Sequence, residues 1–413
     1  MLATEQMIHE LARRQPAHSL AQPFYVDRAF HELDEQLIFE QEWLFAAHTC
    51  ELRRPGDFVT LQVGRNPIVI VRGDDGEIRA FFNTCRHRGS KVCTAERGRS
   101  PKLVCPYHQW TYNLDGTLIY AGHMQQGFDA RGYRLRPVQV RVMGGYVFIC
   151  LADQPPPDID EFLRVAEPYV QPHGLERAKV AAEESIIEQG NWKLVMENNR
   201  ECYHCAGGHP ELLRTLSEYD KPDDPRMDPK FRELQQACYA RWSEAGLPSD
   251  GVMADHWRVA RIPFIRGAVS MTLDGRPASR RRMGNLQVDD AGSMRMLWLP
   301  NSWNHLQADH CLSFRVLPIS ATETLVTTKW LVHEDAVEGV DYDLDNLKRV
   351  WSRTNAQDRY FVELTQAGVA SRAYQPGPYS TQIEQGVIHF VDWYCAAMER
   401  HLGMPAGQRQ AAG

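Results

Sequence analysis

The chain has 413 residues and a formal charge of −7, with 43% hydrophobic and 24% charged residues, enough for two domains with substantial cores. So mild an acidic balance implies no polyanion-binding surface and argues against nucleic acid as a partner. The first twenty residues (with Glu5, Glu10, Arg13 and Arg14) hold no apolar run of a secretion signal, and the most apolar stretch, Tyr146 to Ala152, is too short to span a bilayer. The expectation is a cytoplasmic protein, not membrane-bound, whose ten cysteines are mostly reduced, buried thiols.

In residues 1–43, Phe30, Leu33, Leu37 and Ile38 recur at helical spacing among charged neighbours, which predicts a helical segment packed on the C-terminal domain. Residues 44–155 change character. Phe58 to Val63 and Pro67 to Val71 read as strands, and Gly73-Asp74-Asp75-Gly76 as a hairpin turn. Val138 to Val142, Gly144-Gly145 and Tyr146 to Ile149 give a second hairpin. A small antiparallel domain follows, closed by the proline-rich stretch Gln154 to Asp158.

This domain carries Cys85-Arg86-His87-Arg88-Gly89 and Cys105-Pro106-Tyr107-His108, with seventeen residues (88 to 104) between the two pairs. Two Cys and two His could hold zinc. Zinc fingers usually place Cys with Cys and His with His, whereas each loop here offers one of each. That mixture suits a Rieske [2Fe–2S] cluster, in which two His replace two Cys on one iron. Arg86 and Arg88 add positive charge beside the anionic sulfurs, and Asn113 to Gly116 reads as a hairpin turn after the second loop.

Residues 156–402 mix strand-like stretches (178–188, 268–273, 294–299, 312–317 and 324–332) with helical ones, Asp343 to Thr365 being the clearest long helix. The fold class is therefore α+β: an N-terminal antiparallel β domain, then an α+β domain with a central antiparallel sheet covered by helices. Residues 403–413, rich in Ala, Gly and Gln, read as a mobile tail.

A second constellation lies in 191–210. The pattern predicts one helix from Asn191 into Cys205, with Glu197, Glu201 and His204 on one face. His209 is five residues beyond His204, about 140° away on an ideal helix. Both reach one ion only if the helix loosens, as Gly207-Gly208 before Pro210 allows. Two His and one carboxylate leave iron with positions open for O2. The carboxylate must come from elsewhere; Asp358 on the long helix is the choice and Glu363 its rival.

Together these motifs resemble the catalytic subunits of Rieske-type non-haem iron oxygenases over nearly the whole chain. The stretches 197–205, 328–333 and 374–380 are similar to those of the bacterial glycine betaine and proline betaine (stachydrine) demethylases. Tyr107 stands where respiratory Rieske proteins carry a disulfide cysteine, which places the loop with the oxygenases.

The resemblance implies a monooxygenase that oxidises an N-methyl group of a quaternary ammonium compound with O2, releasing formaldehyde. It implies a [2Fe–2S] cluster on Cys85, His87, Cys105 and His108 and mononuclear Fe(II) on His204, His209 and Asp358. Glu201 would then be the electron bridge to a neighbouring chain in a head-to-tail homotrimer. No dinucleotide fingerprint or plant-type ferredoxin spacing is present, so electrons from NAD(P)H must come through a separate flavin- or ferredoxin-type reductase. A methylated cation needs aromatic faces around it; Trp298, Trp303 and Tyr203 are the candidates. An aromatic ring-hydroxylating dioxygenase alpha subunit and a non-catalytic iron–sulfur electron carrier are the alternatives.

Overall fold

The computed structural model describes residues 2–218 and 227–404, so the expected mobile tail lies outside the described residues except for Gly403 and Met404. The N-terminal segment forms α1 (Leu2–Arg13), α2 (Pro23–Val26) and α3 (Arg28–Asp34), and α3 runs on into a π-helical turn, Glu35–Phe39. Asp27 caps α3 by accepting the N–H groups of Ala29 and Phe30.

Ten strands follow: β1 (Leu44–His48), β2 (Asp57–Val63), β3 (Asn66–Arg72), β4 (Ile78–Phe82), β5 (Arg97–Arg99), β6 (Leu103–Val104), β7 (Thr111–Tyr112), β8 (Leu118–Tyr120), β9 (Pro137–Met143) and β10 (Tyr146–Cys150). Seven make one sheet in the order β1-β10-β9-β4-β3-β2-β5, and β6-β7-β8 form a small second one. Both hairpins read from the sequence are present, β3–β4 and β9–β10, with antiparallel registers Val71↔Arg79 and Met143↔Tyr146. The Cys85/His87 loop lies between β4 and β5 of the first sheet, and the Cys105/His108 loop between β6 and β7 of the second, so each sheet presents one loop.

Beyond α4 (Ile159–Val170) a second seven-stranded antiparallel sheet is built from β11 (Lys179–Glu188), β12 (Val252–Met253), β13 (Trp257–Ile262), β14 (Ser293–Trp298), β15 (Ser302–Leu306), β16 (Cys311–Ser320) and β17 (Glu323–Val332), in the order β11-β17-β16-β15-β14-β13-β12. Helices α5 (Trp192–Asn199), α6 (Cys205–Gly208), α7 (Pro229–Glu244), α8 (Leu344–Val369) and α9 (Gln385–His401) complete the fold. Asn191 and Asp343 cap α5 and α8 through Lys193 N and Asn346 N. Among the described residues no helix is long and apolar enough to cross a membrane.

Two sequence expectations fail here. Residues 268–273 are not a strand: Met271 N donates to Gln307 Oε1 (2.7 Å) and the Ser270 hydroxyl to Asp309 (3.0 Å), so side chains do what a neighbouring strand would. The helix predicted across 191–204 ends at Asn199, and residues 200–204 turn before α6. The cause is Glu201, whose carboxylate accepts both Tyr203 N–H and the His204 ring, a local arrangement that competes with the helical ladder.

The N-terminal helices are tied to this second region. Buried Asp34 accepts from Lys193 Nζ, from Trp192 Nε1 (2.9 Å) and from the Tyr394 hydroxyl (2.6 Å). Gln22 Nε2 donates to the carbonyls of Val369 and Ser371 that end α8.

Candidate metal centres and substrate cavity

At the tip of the N-terminal sheets, Cys85 and Cys105 are buried and His87 and His108 are exposed. The two imidazoles turn Nδ1 to Nδ1 at 3.2 Å. Trp110 stacks on His87 (4.9 Å between centroids, 11° between planes), and Tyr107 lies against His108 at 3.8 Å. The Tyr112 hydroxyl sits 3.3 Å from Cys85 Sγ while accepting Arg86 N–H at 3.0 Å. Burial leads the causes that raise the Cys85 thiol. Desolvation, then His87 and Arg88, lower His108 and leave its lone pair free. Two sulfurs inside and two facing imidazole nitrogens outside fit a diiron cluster whose outer iron takes the histidines.

The second centre is assembled by the break after α5. His204 and His209 stand at the two ends of the one-turn helix α6, and their Nε2 atoms lie 2.9 Å apart. Asp358 Oδ1, from the middle of α8, lies 2.9 Å from His209 Nε2 and 3.3 Å from His204 Nε2. That oxygen is buried and has no hydrogen-bond partner among the described residues. Bonds of about 2.1 Å at right angles set donor atoms about 3.0 Å apart, so the triangle fits one metal ion.

The other ring nitrogens fix the tautomers. His204 Nδ1 donates to Glu201 Oε1 (2.5 Å), and His209 Nδ1 to Gln357 Oε1 (2.8 Å). Gln357 Nε2 in turn donates to Glu211 (3.0 Å). Each Nε2 lone pair therefore points at the shared centre. Burial opposes charge on His204, but Asp358 and Glu201 outweigh it and raise it to about 9, so the pocket favours a cation. Gly208 is required by close approach, since a Cβ there would overlap the Phe361 ring of α8.

Glu363 lies elsewhere, accepting from Arg359 Nε (2.7 Å) and Gln189 N (3.2 Å). Cys205 Sγ is within 4.8 Å of the histidine donor atoms but is joined to Cys202 in a disulfide. The other eight cysteines are free and all but Cys93 are buried, in keeping with mostly reduced thiols. Glu197, expected on the metal-facing side, instead accepts the Tyr25 (2.8 Å) and Tyr379 (2.9 Å) hydroxyls.

A cavity of about 260 Å³ opens beside this centre, lined among others by Tyr203, Trp303, His305, Trp351 and Asp358. Trp303 stacks on Phe314 (5.0 Å, 14°), and Trp351 packs against Phe314 and His305 at 4.8 Å each. Tyr203 is 65% exposed at the rim. Trp298 is a correction. It is buried against Phe148 and Phe162, donates to the Trp43 carbonyl (2.6 Å) and does not line the cavity. The register explains this: Trp303 pairs with Leu297, so Trp298, one residue on, faces the other side of the sheet.

Sequence reasoning did not favour Trp351 over the other tryptophans and gave Gln357 no role. Trp351, Thr354 and Asp358 share a helix face at i, i+3 and i+7, a signal that was available once Asp358 was chosen.

Residues 42–141 match the Rieske [2Fe-2S] domain, and residues 175–400 match the ring hydroxylating alpha subunit (catalytic domain). The chain is 52% identical over 406 residues to a glycine betaine monooxygenase oxygenase subunit of Pseudomonas aeruginosa, covering 98% of this chain and 94% of that protein. It is 54% identical to the protein of that description from Chromohalobacter salexigens, covering 96% and 89%. A solved quaternary ammonium Rieske monooxygenase shares the fold, with a TM-score of 0.73 at 24% identity over 94% of this chain and 97% of its own. The cofactors are accordingly a [2Fe–2S] cluster and a mononuclear iron. By domain content, fold and near full-length identity, the chain belongs to the family of Rieske-type non-haem iron oxygenase alpha subunits.

Proposed function

We propose that the chain is the oxygenase component of a monooxygenase that N-demethylates a small betaine, with glycine betaine the leading candidate and proline betaine the next. The observation that carries this reading is the three-donor triangle of His204, His209 and Asp358 opening onto a cavity with tryptophan walls. Residues 44–155 would carry the cluster and 156–402 the iron, with 1–43 packed on the latter. When bound, the cluster and iron supply electrons and O2 activation, turning one N–CH3 into N–CH2OH with the second oxygen leaving as water.

The chain's own residues do the rest. Cys85 and Cys105 would hold the inner iron of the cluster, and His87 and His108 the outer one. Glu201 and Gln357 hold protons on Nδ1 of His204 and His209 and keep their Nε2 atoms presented. Trp303 and Trp351 would face the methylated cation, which has no N–H to donate. The hydroxymethyl product then separates into formaldehyde and a tertiary amine without further help.

Exposed apolar side chains sit around both centres. Tyr107 is 56% exposed, Tyr203 65% and Tyr360 60%. Such patches favour burial in an interface, in keeping with a homotrimer in which Glu201 of one chain meets His87 or His108 of the next. A separate NAD(P)H-dependent reductase and a cytoplasmic setting complete the reading.

The test is a product assay with reductase, NADH and O2. Formaldehyde released from glycine betaine or proline betaine is expected. A cis-diol from arenes, with no formaldehyde from any betaine, would replace this reading with ring dihydroxylation.

A further inference from the structure

We propose that Arg200 is the subsite that binds the substrate's carboxylate, so that the cavity selects a zwitterionic betaine over a simple quaternary ammonium ion. The proposal rests on the demethylase reading for the identity of the ligand, and on Arg200's own surroundings for the rest.

Arg200 follows α5 directly and lines the cavity with Trp303 and Asp358. Its backbone is clamped by the start of α9, where a Cβ on Gly386 would overlap the Arg200 carbonyl. Its guanidinium has one polar partner among the described residues, the side-chain oxygen of the adjacent Asn199. Its Nε is buried with no partner among the described residues. The guanidinium carbon stands 5.9 Å from the Trp303 ring centroid, and Trp303 Nε1 is likewise buried and unpartnered. Two buried N–H groups, Arg200 Nε and Trp303 Nε1, thus stand beside the cavity without an acceptor among the described residues.

A buried charge without a counter-ion is costly. Burial, reinforced by Arg258, pushes Arg200 down to about 9, whereas carboxylate-paired Arg97 and Arg79 are raised. The imidazole between this region and Trp351 stays neutral: burial first, then Arg295 and Arg200, hold His305 well below its ordinary value. The carboxylates Glu201 and Asp358 are occupied by the histidines at the metal centre. The cavity therefore offers aromatic faces to a cation, and at Arg200 a guanidinium with no carboxylate among the described residues. A carboxylate matches a guanidinium with two parallel hydrogen bonds, and a betaine carries both charges on one small frame.

The test is calorimetric titration of the anaerobic full-length protein with glycine betaine and with its methyl ester, which keeps the cation and removes the anion. Arg200→Gln should weaken glycine betaine binding by about 100-fold and leave the ester within about threefold, while Arg200→Lys retains most of the betaine affinity. Equal losses for both ligands, or no loss for glycine betaine, would overturn the assignment. The two readings fail separately. Arg200-dependent betaine binding without formaldehyde release removes the demethylase and keeps the subsite; formaldehyde release with unchanged betaine affinity in Arg200→Gln does the reverse. Wild-type protein that binds no betaine removes both.

Discussion

Asp358 Oδ1 lies 2.9 Å from His209 Nε2 across 149 positions of sequence, and its nearest acidic rival on α8 takes no part in that contact. Asp358→Ala should lower iron from about three to about two per chain, with the cluster's absorption intact and formaldehyde release abolished. Glu363→Ala, whose partner is Arg359, should leave the iron content unchanged. Iron analysis beside the visible spectrum checks both.

Gln357 touches no ligand atom and acts through His209, accepting its Nδ1 proton at 2.8 Å. Gln357→Leu frees that ring to take the other tautomer, so iron affinity or turnover should fall by about 10–100-fold. Gln357→Glu, still an acceptor, should recover most of the loss. Iron titration of the apo-protein separates a lost orientation from a lost fold.

The Glu197 carboxyl is raised to about 7: burial lifts it, against the Tyr25 and Tyr379 hydroxyls and Lys193, which pull it down. A raised folded-state value means stability that is full below about pH 4.5 and lost as pH rises through about 7. Glu197→Gln removes that slope. Relative to the variant, the wild type should lose up to about 3 kcal/mol between pH 5 and pH 8, measured by denaturation at fixed metal loading.

The proposed electron transfer between chains makes a prediction about mixtures. Co-expressed His108→Ala and Asp358→Ala chains, each inactive alone, should form mixed assemblies in which an intact cluster faces an intact iron. Partial recovery of formaldehyde release is expected. Isolated mixed assemblies without any activity would remove the inter-chain bridge at Glu201.

The candidate metal donors that the structure brings together were legible because metal chemistry demands rare residue types at short spacing: the Cys/His pairs, and the two histidines flanking a glycine pair. The hairpins were legible for the same local reason, turn residues between β-branched runs. What escaped depended on tertiary partners. β13 and β15 are buried on both faces (Trp257 to Ile262, Ser302 to Leu306), so neither shows the alternation that marks a half-exposed strand. Trp298 and Trp303 looked equivalent until the hairpin register put them on opposite faces. The break after Asn199 arises from one side chain, Glu201, accepting two local donors, which periodicity does not encode. Arg200 is an ordinary arginine in sequence; its lack of a carboxylate partner among the described residues exists only in three dimensions.

The central claim is a cluster on Cys85, His87, Cys105 and His108 feeding an iron on His204, His209 and Asp358 that oxidises a betaine methyl group. Its most direct test is a single turnover: chemically reduced protein with glycine betaine, mixed with O2, followed by EPR of the cluster and by formaldehyde. The account predicts about one formaldehyde per mononuclear iron, formed as the reduced-cluster signal disappears, and no formaldehyde from His204→Ala, which keeps the cluster but lacks the mononuclear iron. Formaldehyde from His204→Ala, or none from fully loaded wild type, would contradict it.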